Sequence, residues 1–333
     1  MRGSRVVWGE DMRRVLFFLN PLLAGQGRRR AQAEACAAML RADGCVVEMQ
    51  DTLSAYSAGD QAREAVASGF DTIFVCGGDG TLFQILQGVA GSETALGVLP
   101  FGTGNVVAQN LRLPRDPEAA MRAQRSGNSR AVMIPLGEVR CRSLRDAEGR
   151  AERRWYFTIA AGLGIHAALM DLGQNGGGKR VWGRAAYYAD GIKLLVKRAV
   201  EPFDAEITRV DGVTRRLRAC ELLAVRVAEI NRWRPGGDLF SSQLRMAAVP
   251  QTGRLGLAHA MFHALFTGEH TDEVGRRLPY PYYEDAAEVV CRAVEGYAYA
   301  APMLVEADGE VVGIGPATFR MAKKRLKLIW PQR

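Results

Sequence analysis

An apolar run that leads directly into a glycine-rich turn constrains this chain more than any other feature. Residues 73–76 are Ile-Phe-Val-Cys, Gly-Gly-Asp-Gly-Thr follows at 77–81, and apolar residues then recur at 82, 85, 86 and 89. This pattern predicts a strand, a tight turn and an amphipathic helix. Glycine allows a bulky anion to approach the backbone, and a helix N-terminus favours negative charge. We expect a nucleotide phosphate site with a metal, in which Gly77, Gly78, Gly80 and Thr81 bind phosphate and Asp79 holds Mg²⁺ or orients the turn; the alternative is a turn without a ligand.

Two further segments repeat this arrangement. Residues 96–105, Leu-Gly-Val-Leu-Pro-Phe-Gly-Thr-Gly-Asn, predict a second apolar strand that ends in a glycine-rich turn. Residues 15–19 form another apolar run, which Asn20, Pro21, Gly25, Gly27 and three arginines follow. Open α/β sheets bind ligands at the carboxyl ends of their strands, so the first two turns are expected to line one cleft. The arginines either grip phosphate or form a solvated first turn of a helix.

The spacing of apolar residues divides the chain into two parts. In the first part, strands are predicted at 15–19, 45–49, 73–76 and 96–99. Helices are predicted between them, one with apolar residues at 33, 36, 37 and 40 and one from a capping box at Ser57 to Gly69. This alternation of strands and helices predicts parallel βαβ units. After about residue 135, strands are predicted at 155–161, 203–209, 217–227, 255–261, 303–306, 318–321 and 326–329. Helices are predicted only at 187–199 and 270–277, with a weaker case at 284–293. The second part is therefore expected to be rich in strands.

Length, composition and charge favour a two-domain cytosolic protein with anionic partners. The length of 333 residues fits two domains, and no apolar run is long enough for a membrane-spanning helix. The first residues lack the apolar centre of a secretory signal, and six scattered cysteines predict reduced thiols in a cytosolic protein, with Cys36 and Cys76 in the core. The net charge of +8 favours anionic partners such as a nucleotide or acidic lipid headgroups. Nucleic acid is not expected, because no nucleic-acid-binding motif is visible.

An aromatic segment is a candidate contact with a membrane. Trp233 and residues 280–283, Tyr-Pro-Tyr-Tyr, accompany an arginine-rich surface that could rest on a negatively charged bilayer. The alternative is a solvated basic surface with ordinary core aromatics. The basic run at 323–327 alternates and predicts the solvated outer face of a late strand.

The three glycine-containing segments together resemble the diacylglycerol kinase catalytic-domain family, which includes bacterial soluble lipid kinases and the sphingosine and ceramide kinases. NP…AGxG, GGDGT and PxGTGN occur in that family in the order seen here. The similarity continues from about residue 15 to about residue 329: residues 162–167 resemble GxGFDA, Lys179 with 183–188 resembles a lysine followed by G..AYY, 268–271 resembles GEHT, and 306–310 contains the late DGE.

This resemblance implies a fold and an activity. The fold is an α/β N-terminal domain, Rossmann-like and of the NAD kinase and phosphofructokinase type, with a β-rich, β-sandwich-like C-terminal domain and an active site in the cleft between them. The expected boundaries are 13–135 for the nucleotide-binding domain, 136–315 for the lipid-substrate domain and 316–333 for a strand that returns to the first domain. The implied reaction uses ATP and Mg²⁺ to phosphorylate a diacylglycerol-like or sphingoid hydroxyl. The implied enzyme is cytoplasmic and associates peripherally with the inner face of the membrane. A homodimer is a further expectation.

The resemblance also assigns roles to residues. The nucleotide-binding residues would be Asn20, Gly25, Gly27, Gly77, Gly78, Asp79, Gly80, Thr81, Gly102, Thr103, Gly104 and Asn105, with Asp79 in the metal network. Asp308 would be the general base, Glu310 its acidic neighbour and Lys179 a functional lysine. From the residues alone, the Asp-Gly pair at 308–309 favours a hairpin turn, whereas the resemblance favours the base.

Several positions depart from the family pattern. Phe83-Gln84 stands where Asn-Glu is frequent, Val106 where Asp is common, and His166 where GFDA has its aspartate, and an Asp expected near residues 251–253 is missing. Mg²⁺ prefers oxygen ligands, so the loss of carboxylates weakens its binding. A catalytically impaired nucleotide- or lipid-binding homologue is therefore an alternative, and a soluble-metabolite kinase similar to NAD kinase is a less favoured one.

Overall fold

The computed structural model describes residues 4–5, 8, 11–20, 27–53, 57–144, 151–175, 200–230, 233–264 and 282–331. The chain divides into two compact units, residues 1–136 with 323–333 (unit 1) and residues 137–322 (unit 2). The helices predicted at 187–199 and 270–277, the GEHT segment, Gly25 and Lys179 lie outside the described residues.

Unit 1 contains a parallel sheet. Its strands are β2 (Arg14–Leu19), β3 (Val46–Asp51), β4 (Thr72–Gly77), β5 (Ala95–Pro100) and the end of the long strand β15 (Glu310–Trp330). Strand β2 pairs with β3 and β4, β4 pairs with β5, and Lys327 and Leu328 of β15 pair with β5, all in parallel. Every residue of β4 and β5 is buried, as expected for strands that are covered on both faces of a parallel sheet.

Five helices accompany this sheet in the described part of unit 1. They are α1 (Gly27–Ala42), α2 (Ala58–Ala67), α3 (Asp79–Val89), α4 (Val106–Asn110) and α5 (Pro117–Arg125), and a short strand β1 (Ser4–Arg5) pairs with β6 (Arg130–Ser143). Helix α1 buries the four apolar residues that its spacing predicted. The predicted capping box is wrong, because Ser57 makes no side-chain cap hydrogen bond at the start of α2.

The side chain of Gln124 forms hydrogen bonds with the part of β5 that lies beyond its pairing with β15. Strand β15 pairs with β5 only as far as Leu96, which leaves the backbone of Val98 beyond its reach. Gln124 on α5 is fully buried; its Oε1 accepts from the Val98 N–H at 3.1 Å and its Nε2 donates to the Val98 carbonyl at 2.9 Å. One amide side chain therefore substitutes for a neighbouring strand and joins α5 to the sheet.

Unit 2 is built mainly from antiparallel strands. After β6 come β7 (Glu152–Phe157), β8 (Ala160–Gly164), β9 (Phe203–Thr208), β10 (Thr214–Val225), β11 (Leu244–Pro250), β12 (Tyr282–Ala286), β13 (Glu288–Ala293), β14 (Leu304–Ala307) and the first part of β15. Strands β12, β11, β10, β8, β14 and β15 are neighbours in that order, and β9 joins β10 to β13. Two described helices, α6 (Ile165–Asn175) and α7 (Arg254–Phe262), belong to this unit. The predicted division into an α/β first part and a β-rich second part is confirmed.

Several element predictions in unit 2 are wrong. Residues 255–261 form a helix rather than a strand, because the buried residues Leu257 and Ala260 recur at a spacing of three. The weak helix at 284–293 is two strands, and Val289 and Cys291 alternate inward along β13. The single strand expected at 155–161 is divided between β7 and β8, and β11 was not predicted. Packing against neighbouring strands overrides the helix propensity of alanine and glutamate here.

For the described part of the aromatic segment, burial favours the alternative of ordinary core aromatics over a contact with a membrane. Tyr282 and Tyr283 are buried, and the Trp233 Nε1 donates to the Tyr283 hydroxyl at 2.7 Å. These aromatics belong to the packing of unit 2. No helix in the described part of the chain is both long and apolar enough to span a membrane.

We predict that Gln124→Leu lowers the free energy of unfolding by about 2–3 kcal/mol, because the Val98 N–H and carbonyl lose their partners in a buried position. Urea denaturation measures the change. Gln87→Leu is the matched control, since the Gln87 Nε2 donates to the Phe83 carbonyl within its own helix at 2.9 Å. Equal losses in the two variants would contradict the bridging role of Gln124.

Candidate functional site

Three strand ends of unit 1 meet at one edge of the sheet. Asn20 follows β2, and its backbone N–H donates to the Cys76 carbonyl on β4 at 3.2 Å. Its side-chain Nδ2 donates to the Thr81 Oγ1 at 2.9 Å. The structure therefore joins the first of the three segments to the Gly-Gly-Asp-Gly-Thr turn.

The two glycine-rich turns contact each other through their backbones. A Cβ built on Gly102 would lie 2.4 Å from the Cα of Gly78, and a Cβ on Gly78 would lie 3.2 Å from the Cα of Gly102. The first distance is far below any ordinary contact and involves main-chain atoms that no side-chain rotation can move. Glycine is therefore required at residue 102 by the approach of the neighbouring turn.

Helix α3 begins earlier than the sequence pattern indicated. Gly78 is the N-cap and Asp79, Gly80 and Thr81 form the first turn, with the Leu82 N–H donating to the Gly78 carbonyl at 3.1 Å. The first N–H groups of an α-helix have no acceptor within the helix, and the positive end of the helix dipole lies there. This end of α3 adjoins the second glycine turn and has the features of an anion site.

The carboxylate of Asp79 fixes the second turn. Its Oδ1 accepts from the Val107 N–H in the first turn of α4 at 3.4 Å, and its Oδ2 lies against Gly104, where a Cβ would be 2.7 Å away. Burial raises the pKa of Asp79, and hydrogen bonds from the backbone of residues 105–107 oppose the rise. These contacts agree with the second of the two roles expected for Asp79, which is to orient the glycine-rich turn.

Asn105 closes the second turn on itself. It has a left-handed φ of 50°, its Oδ1 accepts from the Gly102 N–H at 3.0 Å, and its Nδ2 donates to the Gly102 carbonyl at 2.7 Å. Thr103 lies exposed between these residues. The loop thus presents Thr103 and Gly104 on a backbone that the Asn105 side chain holds in place.

In unit 2, Asp308 and Gly309 form the hairpin turn between β14 and β15. Both have positive φ, 48° and 85°, and Ala307 and Glu310 pair on either side. This is the geometry of a two-residue turn in which both central residues are left-handed. The hairpin turn that the residues alone favoured is therefore present, and Glu310 is the first residue of β15.

The carboxylate of Asp308 is buried and accepts four hydrogen bonds. Oδ2 accepts from the Thr158 N–H at 2.9 Å and the Thr158 Oγ1 at 3.0 Å. Oδ1 accepts from the backbone N–H groups of Ile159 at 2.7 Å and Ala160 at 3.1 Å. Burial raises the pKa of Asp308 to about 7, and these donors oppose the rise. The side chain thus connects the turn to the segment before β8 and titrates near neutral pH.

A second polar cluster lies beside this turn. His166 stands in the first turn of α6, and its backbone N–H donates to the Glu221 Oε2 on β10 at 3.1 Å. Its Nδ1 lies 3.6 Å from the Glu306 Oε1 on β14. Sequence reasoning gave no role to Glu221 or Glu306, although a single acidic residue inside the apolar run of β10 was a detectable signal.

Three other departures from the family pattern are buried side chains. Phe83 and Gln84 are buried within α3, and Val106 is buried at the start of α4. Among the described residues, no group of three or more His, Cys, Asp or Glu side chains is placed to hold a metal ion. Gly27 is the exposed first residue of α1.

Comparisons with known proteins agree on one family. Residues 14–135 match the family described as the diacylglycerol kinase catalytic domain. A diacylglycerol kinase of Mycobacterium tuberculosis is 27% identical over 335 residues, which cover 95% of this chain and 96% of the relative. One of Staphylococcus saprophyticus is 26% identical over 280 residues, which cover 82% of each chain.

The resemblance to the diacylglycerol kinase catalytic-domain family is confirmed. A solved diacylglycerol kinase structure from Bacillus anthracis also shares the fold, with a TM-score of 0.63 at 19% identity over 96% of this chain and 97% of that one. The predicted enzyme class, a lipid kinase that transfers phosphate to an alcohol group, is borne out by the catalytic-domain match and by these relatives.

We predict that the Asn20–Thr81 hydrogen bond couples the two segments by about 0.5–1.5 kcal/mol, the net value of a typical intramolecular hydrogen bond. A double-mutant cycle with Asn20→Ala, Thr81→Val and the double variant measures this coupling by urea unfolding. Additive losses in the two single variants would mean that the bond does not hold the strand ends together.

Proposed function

We propose that this protein is an ATP-dependent lipid kinase that transfers the γ-phosphate to the hydroxyl of a diacylglycerol-like or sphingoid lipid, with Asp308 as the base. Unit 1 would act as a Rossmann-like nucleotide domain corresponding to residues 13–135 and unit 2 as the lipid-substrate domain of residues 136–315, with 316–333 returning to unit 1. The observation that carries the proposal is the junction of the two glycine turns at the N-terminus of α3.

The architecture of this junction supports phosphate binding. Gly78 and Gly102 have no side chains to shield the backbone, and the first N–H groups of α3 have no acceptor within the helix. Phosphoryl transfer depends on positioning and on neutralising charge more than on covalent chemistry. We propose that Gly77, Gly78, Gly80 and Thr81 bind the phosphates, with Thr103, Gly104 and Asn105 on the facing turn and with Asn20, Gly25 and Gly27 nearby in the nucleotide site.

The donor set fits Mg²⁺ held mainly by the nucleotide. Mg²⁺ in phosphate sites commonly uses one or two carboxylates together with substrate phosphates and waters. Asp79 is the carboxylate at the start of α3 and is the proposed ligand. When bound, Mg²⁺ would neutralise charge on the phosphates.

The pKa of Asp308 is suitable for a general base. A group that titrates near pH 7 combines a useful population of the charged form with an appreciable affinity for a proton. Its four hydrogen bonds occupy both oxygens, so the proton of the lipid hydroxyl requires one donor to give way. The Thr158 hydroxyl is the donor that can rotate, whereas the other three are fixed in the backbone. Glu310 and Lys179 are proposed to line the same site.

The same hydrogen bonds also favour a second candidate function. A carboxylate with four donors is satisfied as a structural group, and His166 stands where the family has an aspartate. A catalytically impaired homologue that binds nucleotide or lipid would show the same contacts. If the protein is active, its lipid acceptor would bring it to the inner face of the membrane. We also propose that it forms a homodimer.

The decisive experiment is transfer of labelled γ-phosphate from ATP with Mg²⁺ to an extracted lipid mixture in detergent micelles. We predict a labelled lipid, and a decrease in kcat of at least about 10²-fold in Asp308→Asn, the usual contribution of a general base. In the wild-type protein, kcat/KM should rise with pH through about 7 as the Asp308 carboxyl loses its proton.

Asp285→Asn is the matched control, since this exposed aspartate lies on β12 and pairs with Arg245. It should retain wild-type turnover. If Asp308→Asn loses folding and turnover in parallel while the wild-type kcat/KM shows no limb near pH 7, Asp308 is a structural residue. Absence of transfer to any lipid, with ATP still bound, would favour the impaired homologue or a soluble acceptor.

A further inference from the structure

The cluster of His166, Glu221 and Glu306 contains buried polar atoms that the described part of the chain leaves without hydrogen bonds. These atoms are the His166 Nδ1, the Glu221 Oε1 and the Glu306 Oε1. Glu306 is 1% exposed and Glu221 is 7% exposed. Buried polar atoms normally have partners, because a lost hydrogen bond in a low-dielectric environment is costly. Two carboxylates and one imidazole brought together in this way require explanation.

Glu306 connects the cluster directly to the Asp308 turn. Its Oε2 accepts from the Gly309 N–H at 2.9 Å, which holds the second residue of the hairpin turn. Its Oε1 lies 3.6 Å from the His166 Nδ1, an ion-pair distance that is longer than a hydrogen bond. One carboxylate therefore has one oxygen on the turn and the other on the histidine.

Glu221 holds the opposite side of His166. It accepts from the backbone N–H of His166 at 3.1 Å and so caps the first turn of α6. Strand β8 lies between these two carboxylates, since Glu221 pairs with Gly164 and Glu306 with Gly162. The backbone of His166 is fixed by one glutamate, and its ring faces the other.

Among the described residues, few titratable groups lie on the elements that pack against His166. Helix α6 packs against β8, β10 and β14. Strand β8 has no titratable side chain, β10 provides Glu221 and the nearby Cys220, β14 provides Glu306, and α6 itself carries Asp171. The Cys220 thiol is neutral at physiological pH because burial raises its pKa to about 12. Burial raises the pKa of Glu221 to about 7, so this carboxyl is partly protonated at neutral pH. Glu306 is the carboxylate that lies against the His166 ring, and a protonated ring would offset its charge.

We propose that His166 is a positioning residue whose protonated ring pairs with Glu306 and thereby fixes the Asp308–Gly309 turn in the geometry needed for phosphate transfer. The inference rests on the proposed catalytic role of Asp308. Loss of the proton leaves the Glu306 carboxylate buried without a cation, which weakens its hold on Gly309 and misplaces the base.

The direction of the pH dependence follows from the charges. Burial lowers the pKa of His166, but the adjacent Glu306 and the charge of Glu221 outweigh burial and raise it above its ordinary value. A raised pKa means that the stabilisation is fully present below the unfolded value of about 6.5 and is lost as the pH rises through the folded value. Turnover should therefore fall on the alkaline side, whereas the Asp308 limb lies on the acid side.

The test combines kinetics with a direct titration. Transfer of phosphate from ATP to dioleoylglycerol or sphingosine in mixed micelles is measured across the pH range for the wild type, His166→Gln and Glu306→Gln. Glutamine at 306 keeps an oxygen for the Gly309 N–H but removes the charge. His263→Gln is the matched control, because His263 lies at the end of α7. NMR of the same proteins follows the His166 ring without depending on activity.

We expect His166→Gln and Glu306→Gln each to lower kcat about tenfold below the alkaline limb, to remove that limb, and to leave KM for ATP nearly unchanged, because the ion pair acts on the Asp308–Gly309 turn. His263→Gln should keep the wild-type profile. The His166 pKa measured by NMR should lie above the ordinary value and should fall in Glu306→Gln. A merely structural role would lower the melting temperature without removing the alkaline limb.

The outcomes separate the two proposals. Wild-type pH profiles in both variants, or a His166 pKa below the ordinary value, would overturn the role of His166 and leave the lipid kinase intact. Full activity of Asp308→Asn would instead overturn the proposed base, whatever the His166 variants show. If the wild-type protein transfers no phosphate, a His166 pKa that does not respond to Glu306→Gln would overturn the ion pair independently of activity.

Discussion

The close approach of Gly78 and Gly102 is the constraint on which the candidate nucleotide site depends. It places the backbones of two turns in contact at the carboxyl edge of a parallel sheet, where any side chain on residue 102 would collide with main-chain atoms. Asp79 then joins the turns from the other direction, since it begins α3 and accepts from the first turn of α4. The proposed binding of an anion at this site follows from the packing, because a helix N-terminus lies beside the second glycine turn.

In unit 2, Asp308 meets a structural requirement and is the residue proposed to meet a chemical one. The Asp308 turn exists because Asp-Gly suits two left-handed residues, and its carboxylate holds the segment before β8 through four donors. The same burial that permits these contacts raises the pKa into the range where a base is effective at neutral pH. Glu306 and His166 extend the arrangement, and they make the charge state of a histidine part of the geometry of the turn.

The local sequence was sufficient to predict strands β2 to β5 and helices α1 to α3 of unit 1, whereas β1 and α5 were not predicted. The apolar runs of β2, β4 and β5 and the glycine turns after them follow from patterns that depend on neighbours along the chain. The contact between residues 78 and 102 could only be expected in outline, because the distance between two turns is set by the pairing of their strands. The start of α3 at Asp79, and the capping of α4 by its side chain, likewise depend on that packing.

The polar clusters of unit 2 were harder to foresee for the same physical reason. Three of the four donors to Asp308 are backbone N–H groups about 150 residues away, and backbone donors leave no mark in a sequence. Glu221 is a single acidic residue within an apolar strand, which signals a buried carboxylate but not its partner. The helix at 254–262 was mistaken for a strand because short apolar runs fit both periods.

Isothermal titration of ATP with Mg²⁺ into the wild-type protein, Gly102→Ala and Gly253→Ala tests the central claim most directly. Gly253 is the appropriate control, since a Cβ there would meet no atom within 4 Å. If the two turns form one nucleotide site, Gly102→Ala should lose affinity by at least about tenfold, or 1.4 kcal/mol, while Gly253→Ala binds as the wild type does. Wild-type affinity in a folded Gly102→Ala variant would contradict the account, because the nucleotide would then bind away from this junction.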